Sequence, residues 1–143
     1  MFITEEDYKI MIGEAALKIV TQADPANRTN AEATAIEEMA AYLRPKFDTN
    51  AIFASRGEVR NRLLVMYACD IALFHMVAAM PQKMGFDIRE ERYKLAIKWL
   101  EGVQAGKVVP DLPRPGTDAA ADGSAAADGA ILYHSQPQLR HNW

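Results

Sequence analysis

Residues 63–80, LLVMYACDIALFHMVAAM, form the most apolar stretch of the chain, and Asp70 and His75 are its polar exceptions. A helix that is apolar on every side normally lies at the centre of a fold. Pro81 follows the stretch and should end the helix, because proline lacks the N–H group and clashes with the preceding turn. The stretch therefore predicts a central core helix.

Shorter stretches of helical periodicity lie on both sides of this core helix. Capping-box spacing predicts helix starts at Thr4, Ser55 and Asp87, and asparagine is a favoured cap. The predicted helices are bounded by Thr4 and Gly13, by residues 14 and 21, by Asn30 and Pro45, by Ser55 and residue 79, and by Asp87 and Gly106. Residues 47–54 have no sustained period and are expected to form a loop. The predicted fold is all-α, a small bundle of about five helices around the central apolar helix.

The composition changes sharply after residue 112. Residues 113–130 are rich in alanine, glycine and proline, which is typical of a flexible linker. We therefore predict a helical core over residues 1–112 and an extended C-terminal arm over residues 113–143. The apolar residues of the arm indicate a docking segment, although a frayed tail with incidental apolar residues is the alternative. The candidate partner-binding residues are Val108, Val109, Leu112, Ile131, Leu132, Tyr133, Leu139 and Trp143.

Charge and composition limit the possible functions of this 143-residue chain. The formal net charge is −3, which argues against tight binding to DNA phosphates. No apolar run reaches the roughly 20 residues that span a bilayer, and the N-terminus lacks the basic start of a signal peptide. We expect the chain to stay in the compartment where it is made. Cys69 is the only cysteine, so we expect a buried, inert thiol.

The sequence contains no recognisable catalytic or phosphate-binding motif, so we predict no catalytic, metal or cofactor-binding residues. Asp70 and His75 do not share a helix face, and each is expected to have a local hydrogen-bond partner. Neighbouring carboxylates such as Glu37 and Glu38 are typical of a solvated helix face. A basic group near the start of the core helix is either a solvated helix end or a surface that faces a DNA channel or an acidic neighbour. Its members are Lys46, Arg56, Arg60 and Arg62.

Several segments together resemble a known family. They are FITEEDY at residues 2–8, RLLVMYACDIALFHM at 62–76, DIREERY at 87–93, AIKWL at 96–100 and GKV at 106–108. This pattern resembles the Mu-like bacteriophage head–tail junction proteins, a family formerly of unknown function. The resemblance covers residues 1–112 and is strongest over residues 62–107. These are packing and capping motifs rather than a catalytic signature.

The resemblance implies a structural adaptor, or connector, found in the virion and made in the host cytoplasm. Such a subunit forms a ring, of twelve copies in similar proteins, below the portal and extends the DNA channel. The implied partners are the portal protein, neighbouring copies, and stopper or tail proteins, with no membrane. DNA would pass through the channel without sequence-specific binding. The C-terminal arm would dock to the portal.

Three alternatives stay open. A small helical DNA-binding or regulatory protein would need a basic recognition helix, but residues 14–21 contain Lys18 as their one basic residue. A stopper or another head-completion protein would share the same helical composition. An enzyme whose site forms between subunits is the third alternative, although no convergent spacing of catalytic residue types supports it.

Overall fold

The computed structural model describes residues 1–22, 24–80 and 85–116. Over these ranges the chain forms six α-helices and no strand, so the predicted all-α class is confirmed. The helices are α1 (Glu5–Ile12), α2 (Glu14–Val20), α3 (Pro25–Leu43), α4 (Thr49–Ala54), α5 (Arg62–Ala78) and α6 (Phe86–Gln104). A short 3-10 turn, Gly57–Val59, lies between α4 and α5.

Helix α5 is the centre of the fold, as its apolar sequence predicts. It packs mainly against α3 and α6 and also contacts α1 and α2. Burial of its apolar side chains is the main source of stability, at about 25 cal/mol for each Å² removed from water. The buried apolar residues of α5 are Leu64, Ala68, Cys69, Ile71, Ala72, Leu73, Met76 and Val77.

Aromatic pairs show how α5 and α6 are oriented. Tyr67 of α5 lies against Trp99 of α6, with ring centroids 5.0 Å apart. Further along α5, Phe74 stacks on Tyr93, with centroids 4.2 Å apart. Because later residues of α5 meet earlier residues of α6, the two helices run antiparallel. Offset and stacked ring pairs of this kind contribute about 0.5–1.5 kcal/mol beyond their buried area.

The predicted start and end of the first helix are confirmed. The Asp7 N–H donates to Thr4 Oγ1, and the Thr4 N–H donates to Asp7 Oδ2 at 2.7 Å, which completes a capping box. Gly13 ends α1 at φ +79°, a conformation that residues with a Cβ rarely adopt. The chain then turns directly into α2, and the two short helices pack together.

The predicted start of the third helix at Asn30 is wrong. The helix begins at Pro25, and Asp24 caps it by accepting a hydrogen bond from the Ala26 N–H at 2.9 Å. Proline suits the first helical position, because the N–H it lacks would have no partner there. The pair Asp24-Pro25 is therefore a helix start rather than a break.

The start of the core helix also differs from the Ser55 and Glu58 prediction. Ser55 follows α4, where its hydroxyl donates to the Ile52 carbonyl at 2.6 Å. The actual cap is Asn61, whose side-chain oxygen accepts from the Leu64 N–H at 3.1 Å. The Ser55 hydroxyl is already bonded at the end of α4. The capping-box spacing of Ser55 and Glu58 therefore does not mark the start of a helix.

Two further expectations about helix boundaries are corrected. Residues 49–54, within the stretch expected to be a loop, form α4, capped by Asp48 through the Ala51 N–H. Helix α6 begins at Phe86 and follows Gly85 in the left-handed region at φ +67°, without a side-chain cap. Asp87 is therefore inside the first turn, where its charge suits the helix dipole, instead of capping the helix.

The chain leaves the helical domain beside the start of α5. Past Gly106 the backbone is non-helical, as predicted. The Asp48 N–H donates to the Pro113 carbonyl at 2.9 Å, and Asn61 Nδ2 donates to the Asp111 carbonyl at 3.4 Å. The division into a core of residues 1–112 and an arm of residues 113–143 stays a prediction, since residues 117–143 lie outside the described part.

Candidate functional site

A groove of about 680 Å³ lies between α1, the 3-10 turn, α5 and α6. We call it the arginine groove, because four arginines contribute to its walls. It is open to solvent along one side. Its lining residues are Asp7, Ile10, Met11, Gly57, Glu58, Arg60, Arg62, Val65, Met66, Cys69, Ile88, Arg89 and Arg92.

The floor of the arginine groove is apolar. Val65 and Met66 of α5 line the groove together with Ile10 of α1 and Ile88 of α6. Ile10 is 84% exposed and Ile88 is 59% exposed, so neither is covered by another described residue. Large aliphatic side chains gain about 1.5–3 kcal/mol when they are fully buried. The groove can therefore accept apolar groups from a partner.

Two of the four arginines are held in short ion pairs. Arg60 donates to Asp7 at 2.6 Å and also to the Phe2 carbonyl at 2.7 Å, which ties the first residues of the chain to the start of α5. Arg92 donates to both oxygens of Asp70, at 2.6 and 3.0 Å. A bidentate arginine–carboxylate contact fixes orientation as well as charge.

Burial and hydrogen bonding act in opposite directions at these pairs. Burial opposes ionisation of Asp7, but hydrogen bonds from Arg60 and Thr4 outweigh it, and the pKa of Asp7 lies below its usual value. The hydrogen bond with Asp70 raises the pKa of Arg92. The Asp7–Arg60 pair joins α1 to the residues just before α5, and the Asp70–Arg92 pair joins α5 to α6.

The other two arginines are weakly paired. Arg62 contacts Glu58 at 3.2 Å, but both side chains are more than 90% exposed. Arg89 is mostly buried and lies 4.0 Å from Asp70, the longest of the ion pairs in the described part of the chain. Burial lowers the pKa of Arg89, and repulsion from Arg92 adds to this effect while Asp70 opposes it. Within the described part of the chain, Asp70 at 4.0 Å is the one carboxylate that forms an ion pair with Arg89.

Part-buried polar groups also join the helices. Asp70 pairs with Arg92, and His75 Nε2 lies 3.1 Å from Glu38 of α3. Tyr93 of α6 donates to the same Glu38 carboxylate at 2.6 Å, so three helices meet at this cluster. Asp70 and His75 each have a hydrogen-bond partner, as predicted, but both partners lie on other helices and are not local in the sequence.

Cys69 lies beneath the groove floor and is fully buried, as predicted. Burial is the main reason that the pKa of its thiol is raised, and the nearby Asp7 and Asp70 charges add to the effect. The thiolate is the reactive form of cysteine, so the folded environment disfavours reaction at this position.

The structure divides the predicted basic group between different places. Arg60 and Arg62 line the arginine groove. Lys46 instead donates to the Val103 carbonyl at 3.2 Å, near the end of α6. Arg56 donates to the carbonyls of Phe53 and Ser55, at 3.0 and 2.8 Å. Lys46 and Arg56 are not among the residues that line the groove, and the predicted contact of all four residues with a channel or neighbour stays a prediction.

Sequence reasoning missed the contribution of α6 to the groove. Arg89 and Arg92 are three residues apart, which places them on one helix face. The available signal was Asp70, because an acidic residue inside an apolar core helix needs a cationic partner. The apolar walls at Ile10 and Ile88 belong to other segments, so no local pattern indicated them.

Three of the predicted arm residues lie in the described part of the chain. Val108 and Leu112 pack against the hydrophobic core, and Val109 is 71% exposed. The other five lie outside the described residues and keep the status of predictions; they are Ile131, Leu132, Tyr133, Leu139 and Trp143.

Residues 1–22, 24–80 and 85–116 contain no group of three or more histidine, cysteine or acidic side chains placed to hold a metal ion. Over the same ranges, no helix combines the length and the hydropathy that crossing a bilayer requires.

The fold defines a small all-α protein built on one apolar helix. The model of the family described as Bacteriophage Mu, Gp36 matches residues 2–128, most of the chain. The protein therefore belongs to the bacteriophage Mu Gp36 family, and the predicted resemblance to a Mu-like phage family is confirmed. The match extends beyond residue 112, where the predicted resemblance ended. Searches of curated proteins and of solved structures found no match.

Proposed function

We propose that this protein is a structural, non-catalytic adaptor subunit of the phage head–tail junction. In this proposal it forms a ring with copies of itself below the portal, extends the DNA channel, and docks to the portal through its C-terminal arm. The observation that carries the proposal is the match to a Mu phage family over residues 2–128.

The chemistry of the arginine groove supports a role in protein assembly. Its exposed apolar side chains, such as Ile10 and Ile88, lie beside arginines. Apolar centres with arginine at the edge are characteristic of protein–protein contact surfaces. Arg92 of its lining pairs with the buried Asp70 and joins two helices. This arrangement favours binding a protein segment.

The sequence beyond the described domain supports the role assigned to the arm. Residues 117–130 carry no large apolar side chain, whereas Ile131, Leu132 and Tyr133 follow directly and Trp143 lies further on. A spacer that ends in apolar residues suits a segment that orders when it binds. Repeating this contact around a ring raises the effective concentration of each arm and strengthens the assembly.

The test is co-sedimentation with portal-bearing capsids of the same phage, with capsids that lack the portal as the control. We would compare the full chain with a chain that ends at Gly116. This end point keeps the Asp48–Pro113 and Asn61–Asp111 hydrogen bonds, so it removes the arm without removing its attachment to the domain.

The adaptor proposal expects the full chain to sediment with portal-bearing capsids and the shortened chain to bind much more weakly. Equal binding of both chains would keep the junction role but contradict docking through the arm. Binding that requires a separate adaptor to be present first would indicate a stopper. Absence of binding by the full chain would refute the junction role.

A further inference from the structure

We infer that residues 117–133 of the chain dock into the arginine groove of the same subunit. The inference goes beyond the proposed junction role, because it concerns where this segment lies in the free subunit. It depends on the exit point of the chain, on charge, and on apolar complementarity.

The chain passes beside the rim of the arginine groove at Asp111, before Pro113 accepts a hydrogen bond from Asp48. The Asp111 carbonyl accepts a hydrogen bond from Asn61, and the residues on either side of Asn61 are Arg60 and Arg62 of the groove wall. An extended chain spans about 3.3 Å per residue, so seventeen residues reach about 55 Å. Helix α5 is about 25 Å long at 1.5 Å per residue, so the segment can follow the whole groove.

The charges of the segment and of the groove are complementary. Residues 117–133 contain three aspartates, Asp118, Asp122 and Asp128, and no lysine or arginine. The groove presents four arginines against two acidic residues in its lining. Arg89 lies 4.0 Å from Asp70, so an incoming carboxylate can supply the closer partner that the described residues do not.

The apolar parts are complementary as well. The segment ends in Ile131, Leu132 and Tyr133, whereas the groove exposes Ile10 and Ile88 above its floor. The intervening alanines have small side chains and the glycines have none, so this stretch can lie close to a groove floor. Docking would bury apolar surface on both partners while aspartates meet arginines at the rim. The arm would then be stored on its own domain until a stronger partner competes for it.

The test is the rate at which chymotrypsin cleaves the full chain after Tyr133, followed by mass spectrometry. Cleavage of a segment that docks reversibly tracks the fraction that is undocked. We would compare the wild-type chain with Ile88→Glu, which places a charge in the groove. Leu95→Glu is the matched control, because Leu95 lies on the same helix, is 60% exposed against 59% for Ile88, and does not line the groove.

We expect Ile88→Glu to be cleaved about tenfold faster than wild type, as for a contact with a free energy of roughly 1.4 kcal/mol. Leu95→Glu should be cleaved at the wild-type rate. The thermal unfolding midpoints of both variants would show whether faster cleavage comes from loss of docking or from loss of folding.

Equal rates for wild type and Ile88→Glu would overturn the inference, as would equal acceleration by both variants. Protection that increases with protein concentration would overturn it in favour of docking to a second copy. Because the free chain is measured without capsids, failure here leaves the co-sedimentation result for the junction role unaffected.

Discussion

Replacing Arg92 by alanine removes the main partner of a buried carboxylate. Asp70 is 2% exposed and receives two hydrogen bonds from Arg92, so the variant leaves a charge in the core with Arg89 at 4.0 Å as its remaining cation. Breaking a buried ion pair from one side costs about 3–5 kcal/mol of unfolding free energy.

The expected cost is smaller than that range for two structural reasons. The Arg92 side chain is 38% exposed, so solvent already screens part of the pair. Arg89 can also move closer to Asp70 once Arg92 is gone. We therefore expect a loss of about 2–3 kcal/mol. Asp70→Asn should lower the free energy of unfolding by less, about 1–2 kcal/mol, because the Arg92 side chain can then reorient into solvent.

Urea unfolding with linear extrapolation measures these differences. Lys94→Ala is the matched control, since Lys94 lies on the same helix and forms an exposed ion pair with Glu90. It should cost at most about 0.5 kcal/mol. The double variant Arg92→Ala with Asp70→Asn should cost less than the sum of the two single changes. An Arg92→Ala cost equal to that of Lys94→Ala, or strict additivity, would refute the reasoning.

Three further predictions concern pH and backbone strain. The lowered pKa of Asp7 means that its ion pair stabilises the fold above the unfolded pKa near 3.8 and that this contribution is lost on acidification. Arg60→Met should therefore lower the free energy of unfolding by about 2 kcal/mol at pH 7. The urea midpoint of this variant should fall less than that of wild type between pH 7 and pH 3, and an equal fall would contradict the prediction. Burial raises the pKa of Glu32, although Tyr8 and Arg28 partly oppose this effect. The charged form of Glu32 therefore destabilises the fold as pH rises above the acidic range. Glu32→Gln should be more stable than wild type by on the order of 1 kcal/mol at pH 7, with the gain disappearing near pH 3, as thermal unfolding at both pH values would reveal. Gly85→Ala should lower the free energy of unfolding by about 1–2 kcal/mol. The φ angle is +67° and no neighbour lies within 4 Å of the added Cβ, so the cost is backbone strain alone. An unchanged free energy in urea unfolding would show that the turn relaxes.

The sequence predicted the main helices because their apolar residues have a clear period. The apolar stretch of α5 and the capping box at Thr4 are both local signals, and both are confirmed. The start of α3 was missed because proline is read more readily as a helix breaker than as a first helical residue. Helix α4 was missed because six residues are too few to establish a period. Predictions of helix boundaries are wrong where one residue type, such as proline, can either end a helix or begin one.

The arginine groove could not be predicted from any one segment. Its walls come from α1, the turn before α5, α5 itself and α6, which are distant in sequence. Asp70 indicated that a basic partner was needed, but both Arg89 and Arg92 are on the opposing helix and only packing brings them close. Lys46 and Arg56, which the sequence grouped with Arg60 and Arg62, donate to backbone carbonyls and do not line the groove.

The way in which the C-terminal segment is fastened has a mechanical consequence. Tension applied through residue 116 acts on a segment whose described contacts include the Pro113 and Asp111 carbonyls and the packing of Val108 and Leu112. None of these belongs to a helix, so this segment should detach at low force while α3, α5 and α6 keep their packing. Detachment of residues 107–113 would lengthen the tether by up to about 23 Å. In single-molecule extension, a short first step should therefore precede unfolding of the domain, which would let a pulled subunit yield without losing its fold.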